Sequence, residues 1–176
     1  MQDEAKLLTQ LKLDNSKELA FKTLVKRYKE RLYWHIRKIV ITHDDADDVL
    51  QNTFIKIFRN IDKFKGDSKL YTWMYRIATN ESITFLNSKA RRNQVSNENA
   101  LNSLVADVYF EGDKIQLKLQ KAISQLPRIQ QLVFNMRYFD NIKYKDMSEI
   151  LETSEGALKA SYHIAVKKIK TYLVVD

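Results

Sequence analysis

Cysteine is absent from the 176-residue chain. That removes disulfides, thiol catalysis and every cysteine-based zinc, haem or iron–sulfur site. Proline occurs once and glycine three times, against average usage of about 5% and 7%. So few breakers imply an almost wholly helical chain, with no glycine-rich loop to cradle a phosphate. No apolar run approaches the roughly 20 residues of a membrane-spanning helix. The opening residues, 1–10, lack the basic stretch and apolar core of a secretory signal. A cytoplasmic protein without direct membrane insertion is expected. The three histidines, His35, His43 and His163, are scattered without metal-ligand spacing. No metal site and no cofactor are expected, and His35 and His43 read as surface residues.

What is present is charge. Apolar residues make up 44% of the chain, enough for real cores, and charged residues 30%, with a formal net charge of +8. A basic, helical chain makes nucleic acid the first partner to test. The excess is uneven: residues 1–92 carry 19 basic against 12 acidic side chains, and residues 93–176 carry 11 against 10. Asp44, Asp45, Asp47 and Asp48 crowd between two basic stretches, and lysines gather again at Lys159, Lys167, Lys168 and Lys170. Such patterning suggests more than one partner.

Apolar residues recur at helical spacing over 17–40, through Leu24, Tyr28, Leu32 and Ile36. A second helix is expected over 44–60, with Ala46, Val49, Leu50, Phe54, Ile57 and Phe58 inward and its acids in the first turn, where the helix dipole favours them. A loop holding Gly66 precedes a third helix over 69–89. The stretch 90–112 is polar and aperiodic and reads as a linker, with Leu101, Leu104 and Val105 able to form one weak turn. Beyond it lie helices to Leu126, over 128–139, over 144–151 and over 155–173, with Pro127 separating the first pair. The fold class is therefore all-α: two small helical bundles joined by a polar linker, over 1–92, 93–112 and 113–176.

The last two helices are separated only by Glu152, Thr153 and Ser154, the layout of a helix-turn-helix. Met147, Ile150 and Leu151 would bury the first helix, and Leu158, Tyr162, Ala165, Ile169 and Tyr172 the second. Ser154 suits an N-cap. Glu155, Lys159, His163 and Lys167 share the opposite face. Gly156, Ala157 and Ala160 are small enough to let the helix start enter a major groove, with lysines further along for phosphates. Turns of this kind favour glycine after the first helix; Glu152 stands there and, if left-handed, costs about 1 kcal/mol.

These residues carry a resemblance. From Leu126-Pro127 through Gln131, Val133-Phe134, Arg137-Tyr138, Ile150-Leu151, Ser154-Glu155-Gly156, Lys159, His163, Ala165 and Lys167-Lys168, the chain resembles the region-four domain of bacterial RNA polymerase sigma factors. The run from Asp44 to Phe54 is similar to the polymerase-binding motif of the family's region two. Phe64-Lys65-Gly66-Asp67-Ser68 and the run from Thr72 to Asn80 resemble its promoter-melting loop and following helix. Two domains on a short tether are the layout of the extracytoplasmic-function class.

The resemblance implies a dissociable initiation subunit without enzyme activity. It would bind core polymerase at the clamp of the largest subunit, through Asp45, Asp48, Gln51, Asn52 and Lys56, and at the flap of the second-largest. Phe54 and Phe58 would pack the bundle instead. Phe64, Lys65, Gly66, Asp67 and Ser68, with Tyr71, Tyr75, Arg76, Thr79 and Asn80, would take a flipped base and the non-template strand of the minus-ten element of promoter DNA. Trp73 lies on the apolar stripe and reads as core. Ser154, Glu155, Gly156, Ala157, Lys159, Ala160, His163 and Lys167 would read the minus-thirty-five duplex. Family members are often held by an anti-sigma factor, frequently a membrane-anchored one. A compact free chain that opens on polymerase is expected.

The sequence departs from the family pattern at Ser161, Ile164 and Val166, where arginines are common, at Ala157, where a hydroxyl is usual, and at Lys143, where a serine or threonine cap is preferred. The promoter sequence is therefore not carried over. Asp44 to Asp48 also fits the DDxxD pattern of magnesium-dependent isoprenoid enzymes, but no second acidic cluster accompanies it and the chain is small to enclose a prenyl group. The alternative in another class is a stand-alone helix-turn-helix regulator; it would need paired half-sites and a dimer seam, and no dimerisation heptads are present.

Overall fold

The computed structural model describes residues 2–13, 15–93 and 114–175. The first bundle comprises α1 (Gln2–Leu11), α2 (Lys17–Val40), α3 (His43–Asn60), a 3-10 turn (Ile61–Lys63) and α4 (Leu70–Asn93). The fourfold spacing of Leu24, Tyr28, Leu32, Ile36 and Val40 puts all five on one buried stripe of α2. In α3, Ala46, Val49, Leu50, Thr53 and Ile57 are buried. Thr42 is extended at its N-cap, and its hydroxyl accepts from the Asp45 N–H at 3.4 Å. Leu70, Met74, Ala78 and Ser82 form the matching buried stripe of α4, and α2, α3 and α4 all pack on one another.

Two boundaries differ from the sequence reading. The first helix, α1, was not anticipated, yet Leu7 and Leu11 are buried in the core and α1 packs on α2. Helix α4 runs to Asn93, past the expected end at Lys89. The expected linker from residue 94 on, with its turn at Leu101, Leu104 and Val105, lies outside the described residues.

The second bundle comprises α5 (Lys114–Ser124), α6 (Arg128–Tyr138), α7 (Tyr144–Leu151) and α8 (Glu155–Val175). Pro127 stands at the start of α6, and Gln131 Nε2 donates back to the carbonyls of Ser124 and Leu126 at 3.0 and 2.8 Å. Ala122, Ile123, Leu126, Phe134, Ala165 and Ile169 form one apolar cluster. Val133, Met136, Met147, Ile150 and Leu158 belong to a second cluster that continues into the first bundle. The two bundles are thus packed together, α4 against α7 and α2 against α6, as expected for a compact chain.

Candidate protein- and nucleic-acid-binding faces

Helix α3 presents Asp48, Gln51 and Asn52 to solvent. The other two residues expected on that face are tied down within the bundle. Asp45 Oδ2 lies 2.6 Å from Lys89 Nζ of α4 and is largely covered, and Lys56 Nζ is paired with Glu81 of α4. They brace α3 on α4 as well as bordering the face. Gln51 also lines a groove of about 760 Å³ between α2 and α3, with Phe21, Val25, Leu50, Phe54, Ile55 and Phe58 as its apolar walls. Phe54 and Phe58 do pack on the bundle, through edge-on contacts with Phe21 at 6.2 and 4.9 Å. Lys29 and Arg59 stand at the groove with Asp47. The groove was not anticipated, because the stripe on α3 was assigned wholly to the core.

The loop before α4 turns at Gly66, whose φ of +84° is a left-handed conformation that glycine adopts without a Cβ penalty. Lys65, Gly66 and Asp67 are exposed, as are Arg76 and Asn80 on α4, while Ser68 and Tyr71 are half-buried. Phe64, Tyr75 and Thr79 are buried. Phe64 packs on Trp73 at 5.3 Å between ring centres, and Trp73 is half-buried against the core. The loop borders a cleft of about 560 Å³, walled on one side by Thr72, Trp73 and Arg76 and on the other by Ser148, Glu149 and Glu152. The size suits a planar group, but the second bundle closes one side.

That closure is polar, and it corrects one expectation. His35, read as a surface residue, is 1% exposed. Its Nδ1 lies 3.0 Å from Asp140 Oδ2 across the seam between the bundles, and its Nε2 lies 2.9 Å from the Thr79 hydroxyl. His43 is half-buried too, with Nδ1 2.6 Å from the Tyr33 hydroxyl and Nε2 3.3 Å from Asp47. Lys38 also pairs with Asp140, and Asn135 Nδ2 donates to the Lys38 carbonyl at 3.3 Å. Lys69 Nζ stands 3.2 and 3.3 Å from the two oxygens of Asp146, which also accepts from the Tyr71 hydroxyl. Arg76 pairs with Glu152. Burial, with Asp140 nearby, pushes the Tyr75 phenol up to about 12, and burial together with Asp146 raises that of Tyr71. Both hydroxyls are therefore donors throughout the neutral range.

The helix-turn-helix has the expected form. Glu152 is left-handed, with φ of 52° and ψ of 40°. Ser154 Oγ accepts from the Ala157 N–H at 3.3 Å, and Lys143 provides no side-chain cap for α7. Met147, Ile150, Leu158, Ala165 and Ile169 are buried, while Leu151, Tyr162 and Tyr172 are half-buried. Ser154, Glu155, Gly156, Ala157, Lys159, Ala160, His163 and Lys167 are all exposed on one helix start and face. Nothing lies within 4 Å of a Cβ built on Gly156, so the start of α8 is open. Lys159 lies 3.7 Å from Glu155 and over the Tyr144 ring at 5.6 Å.

The chain is, as a class, an all-helical two-bundle protein that ends in a helix-turn-helix with an open second-helix start. The family model described as Sigma-70 region 2 matches residues 24–92, and that described as Sigma-70, region 4 matches residues 116–169. An ECF RNA polymerase sigma-E factor of Haemophilus influenzae is 31% identical over 153 residues, covering 80% of each chain. An RNA polymerase sigma-H factor of Pseudomonas aeruginosa is 29% identical over 157 residues, covering 80% of this chain and 79% of that one. Two solved structures share the fold. One is CnrH in complex with the cytosolic domain of CnrY, with a TM-score of 0.74, 19% identity and 98% of each chain covered. The other is the sigma factor RpoE of Bartonella quintana with the anti-sigma factor NepR, with a TM-score of 0.70, 20% identity, and 89% of this chain and 98% of that one covered. The chain belongs to the sigma factors of RNA polymerase, in their extracytoplasmic-function class. No described helix is long and apolar enough to cross a membrane.

Proposed function

We propose that the protein is a dissociable initiation subunit whose first bundle docks on core RNA polymerase and melts the minus-ten element, and whose second bundle reads the minus-thirty-five duplex. The observation that carries the reading is the pairing, in one chain of this family, of an exposed Asp48, Gln51 and Asn52 stripe on α3 with an open helix-turn-helix start on α8. Asp48, Gln51 and Asn52 contact the clamp of the largest subunit, with Asp45 and Lys56 at the margin. The loop from Phe64 to Ser68 takes an extruded base, whose unstacking costs a few kcal/mol that aromatic and polar edge contacts offset. Arg76 and Asn80 follow the strand. At α8, Gly156, Ala157 and Ala160 give close approach, and Lys159, His163 and Lys167 meet bases and phosphates.

An anti-sigma protein is the expected inhibitor, because a sigma factor of this fold, RpoE, was solved with the anti-sigma factor NepR. The test of the polymerase reading is co-elution with the core enzyme from the same organism on size exclusion. The native chain co-elutes; Asp48→Lys does not, and Gln51→Ala weakens the complex about tenfold, the scale of a lost interface contact. A native chain that shifts promoter DNA but never co-elutes is instead a stand-alone regulator.

A further inference from the structure

We propose that the acidic edge of the second bundle is a built-in competitor for the promoter strand, holding in the free chain the side chains that single-stranded DNA would take. The proposal rests on the minus-ten reading of α4. Asp140, Asp146 and Glu152 come at six-residue intervals from the end of α6, through α7, to the turn after it. Each meets a cation of the first bundle: Asp140 meets Lys38, with the His35 ring also within hydrogen-bond distance, Asp146 meets Lys69, and Glu152 meets Arg76. The second bundle is itself basic, with 11 Lys and Arg against 5 Asp and Glu over residues 114–175, and three of those five acids stand where the basic first bundle faces them.

Asp146 makes the substitution most plainly. It is 4% exposed, and its two oxygens accept from the Lys69 ammonium and the Tyr71 hydroxyl. An ammonium and a phenol converging on two anionic oxygens is a donor set that also suits the free oxygens of a phosphodiester. At Arg76 a carboxylate again stands where a phosphate would pair. Glu149 and Glu152 close the cleft beside the loop that would receive a base. A phosphate and a carboxylate cannot occupy one place, so the closed chain and strand binding exclude each other. The masking is one-sided. Gly156, Ala157, Ala160, His163 and Lys167 lie away from the seam and stay exposed, so the closed chain keeps its duplex-reading face and loses its strand-reading one.

The test measures binding of a fluorescein-labelled, mixed-sequence single-stranded DNA by the full chain. Asp146→Asn with Glu152→Gln is compared with a charge-matched pair on exposed positions of α2, Glu18→Gln with Glu30→Gln. The seam pair binds about five- to tenfold more tightly than the native chain, because the competent open form is no longer scarce. The control pair gains about twofold or less, from net charge alone. Equal gains in the two pairs overturn the proposal. A second readout needs no seam variant: dyes on Lys26→Cys and Lys170→Cys, one in each bundle, lose energy transfer when the strand binds, and unchanged transfer at saturation overturns the proposal. Adding Arg76→Ala and Asn80→Ala to the seam pair separates the two layers. If strand binding is unaffected, the minus-ten reading itself fails. If it falls while the seam pair had gained nothing over the control, only the masking fails.

Discussion

Ile41, at the joint between α2 and α3, has a φ of 74° and a ψ of −44°. The Val40 carbonyl accepts from the Thr42 N–H at 3.0 Å, which closes a three-residue turn around it. That turn is of the rare, strained kind, and a β-branched side chain makes it worse. It lets the acid-rich start of α3 follow α2 without a longer loop. Replacing Ile41 by glycine removes a strain of about 1–3 kcal/mol at the cost of some apolar contact. Ile39, also half-buried but inside α2, has no strain to relieve, and glycine there loses contact and about 1 kcal/mol of helix propensity. In urea melts, Ile41→Gly is therefore neutral or stabilising, and Ile39→Gly destabilises by about 2 kcal/mol. Comparable losses in both variants would show that the turn is relaxed. Glu152, also left-handed, was legible in the sequence because a helix-turn-helix demands that geometry at a known place. Ile41 was not: the break between 40 and 44 was legible, but no residue there asks for a left-handed isoleucine.

At the scale of elements, α2, α3 and α8 were legible because each carries a long apolar stripe and a polar start that agree. Helix α1 was not. At ten residues it is too short to be stable alone, and its helicity comes from Leu7 and Leu11 packing on α2, a tertiary cause that local pattern does not reveal. Leu11 is fully buried. Leu11→Ala therefore costs about 2–4 kcal/mol in the first bundle, read from thermal or urea unfolding. A change below about 0.5 kcal/mol would mean that α1 is an ornament on the bundle. The candidate faces divide the same way. The start of α8 was read from spacing, because a single helix face presents it, whereas the polar stripe on α3 came from the resemblance to region two. The pairing of Asp45 with Lys89 and of Lys56 with Glu81 was not, because it joins residues 44 and 25 positions apart.

The seam between the bundles belongs to the whole molecule, and spacing says nothing of it: His35 and Asp140 are separated by 105 positions. It carries a pH dependence whose sign is fixed by Asp140. Burial pushes this carboxyl up, but the hydrogen bond from His35 and the charges of His35 and Lys38 outweigh burial and hold it below its ordinary value of 3.8. The groups facing it are His35 and Lys38 from α2 and the Tyr75 phenol from α4. An acid whose value is lowered by closure stabilises the closed form above its ordinary value, and that stabilisation is lost as pH falls below it. Acidification through about pH 4 and downward thus weakens the seam, although the apolar cluster shared by the two bundles does not titrate. With dyes on Lys26→Cys and Lys170→Cys, which the cysteine-free chain accepts without competing thiols, energy transfer falls before helical circular dichroism does. In Asp140→Asn the carboxylate is gone, so transfer at neutral pH is already lower and its acid-dependent step shrinks. Transfer and helicity lost together, with the same midpoint in both proteins, would show that Asp140 does not govern the seam and that the two bundles unfold as one unit.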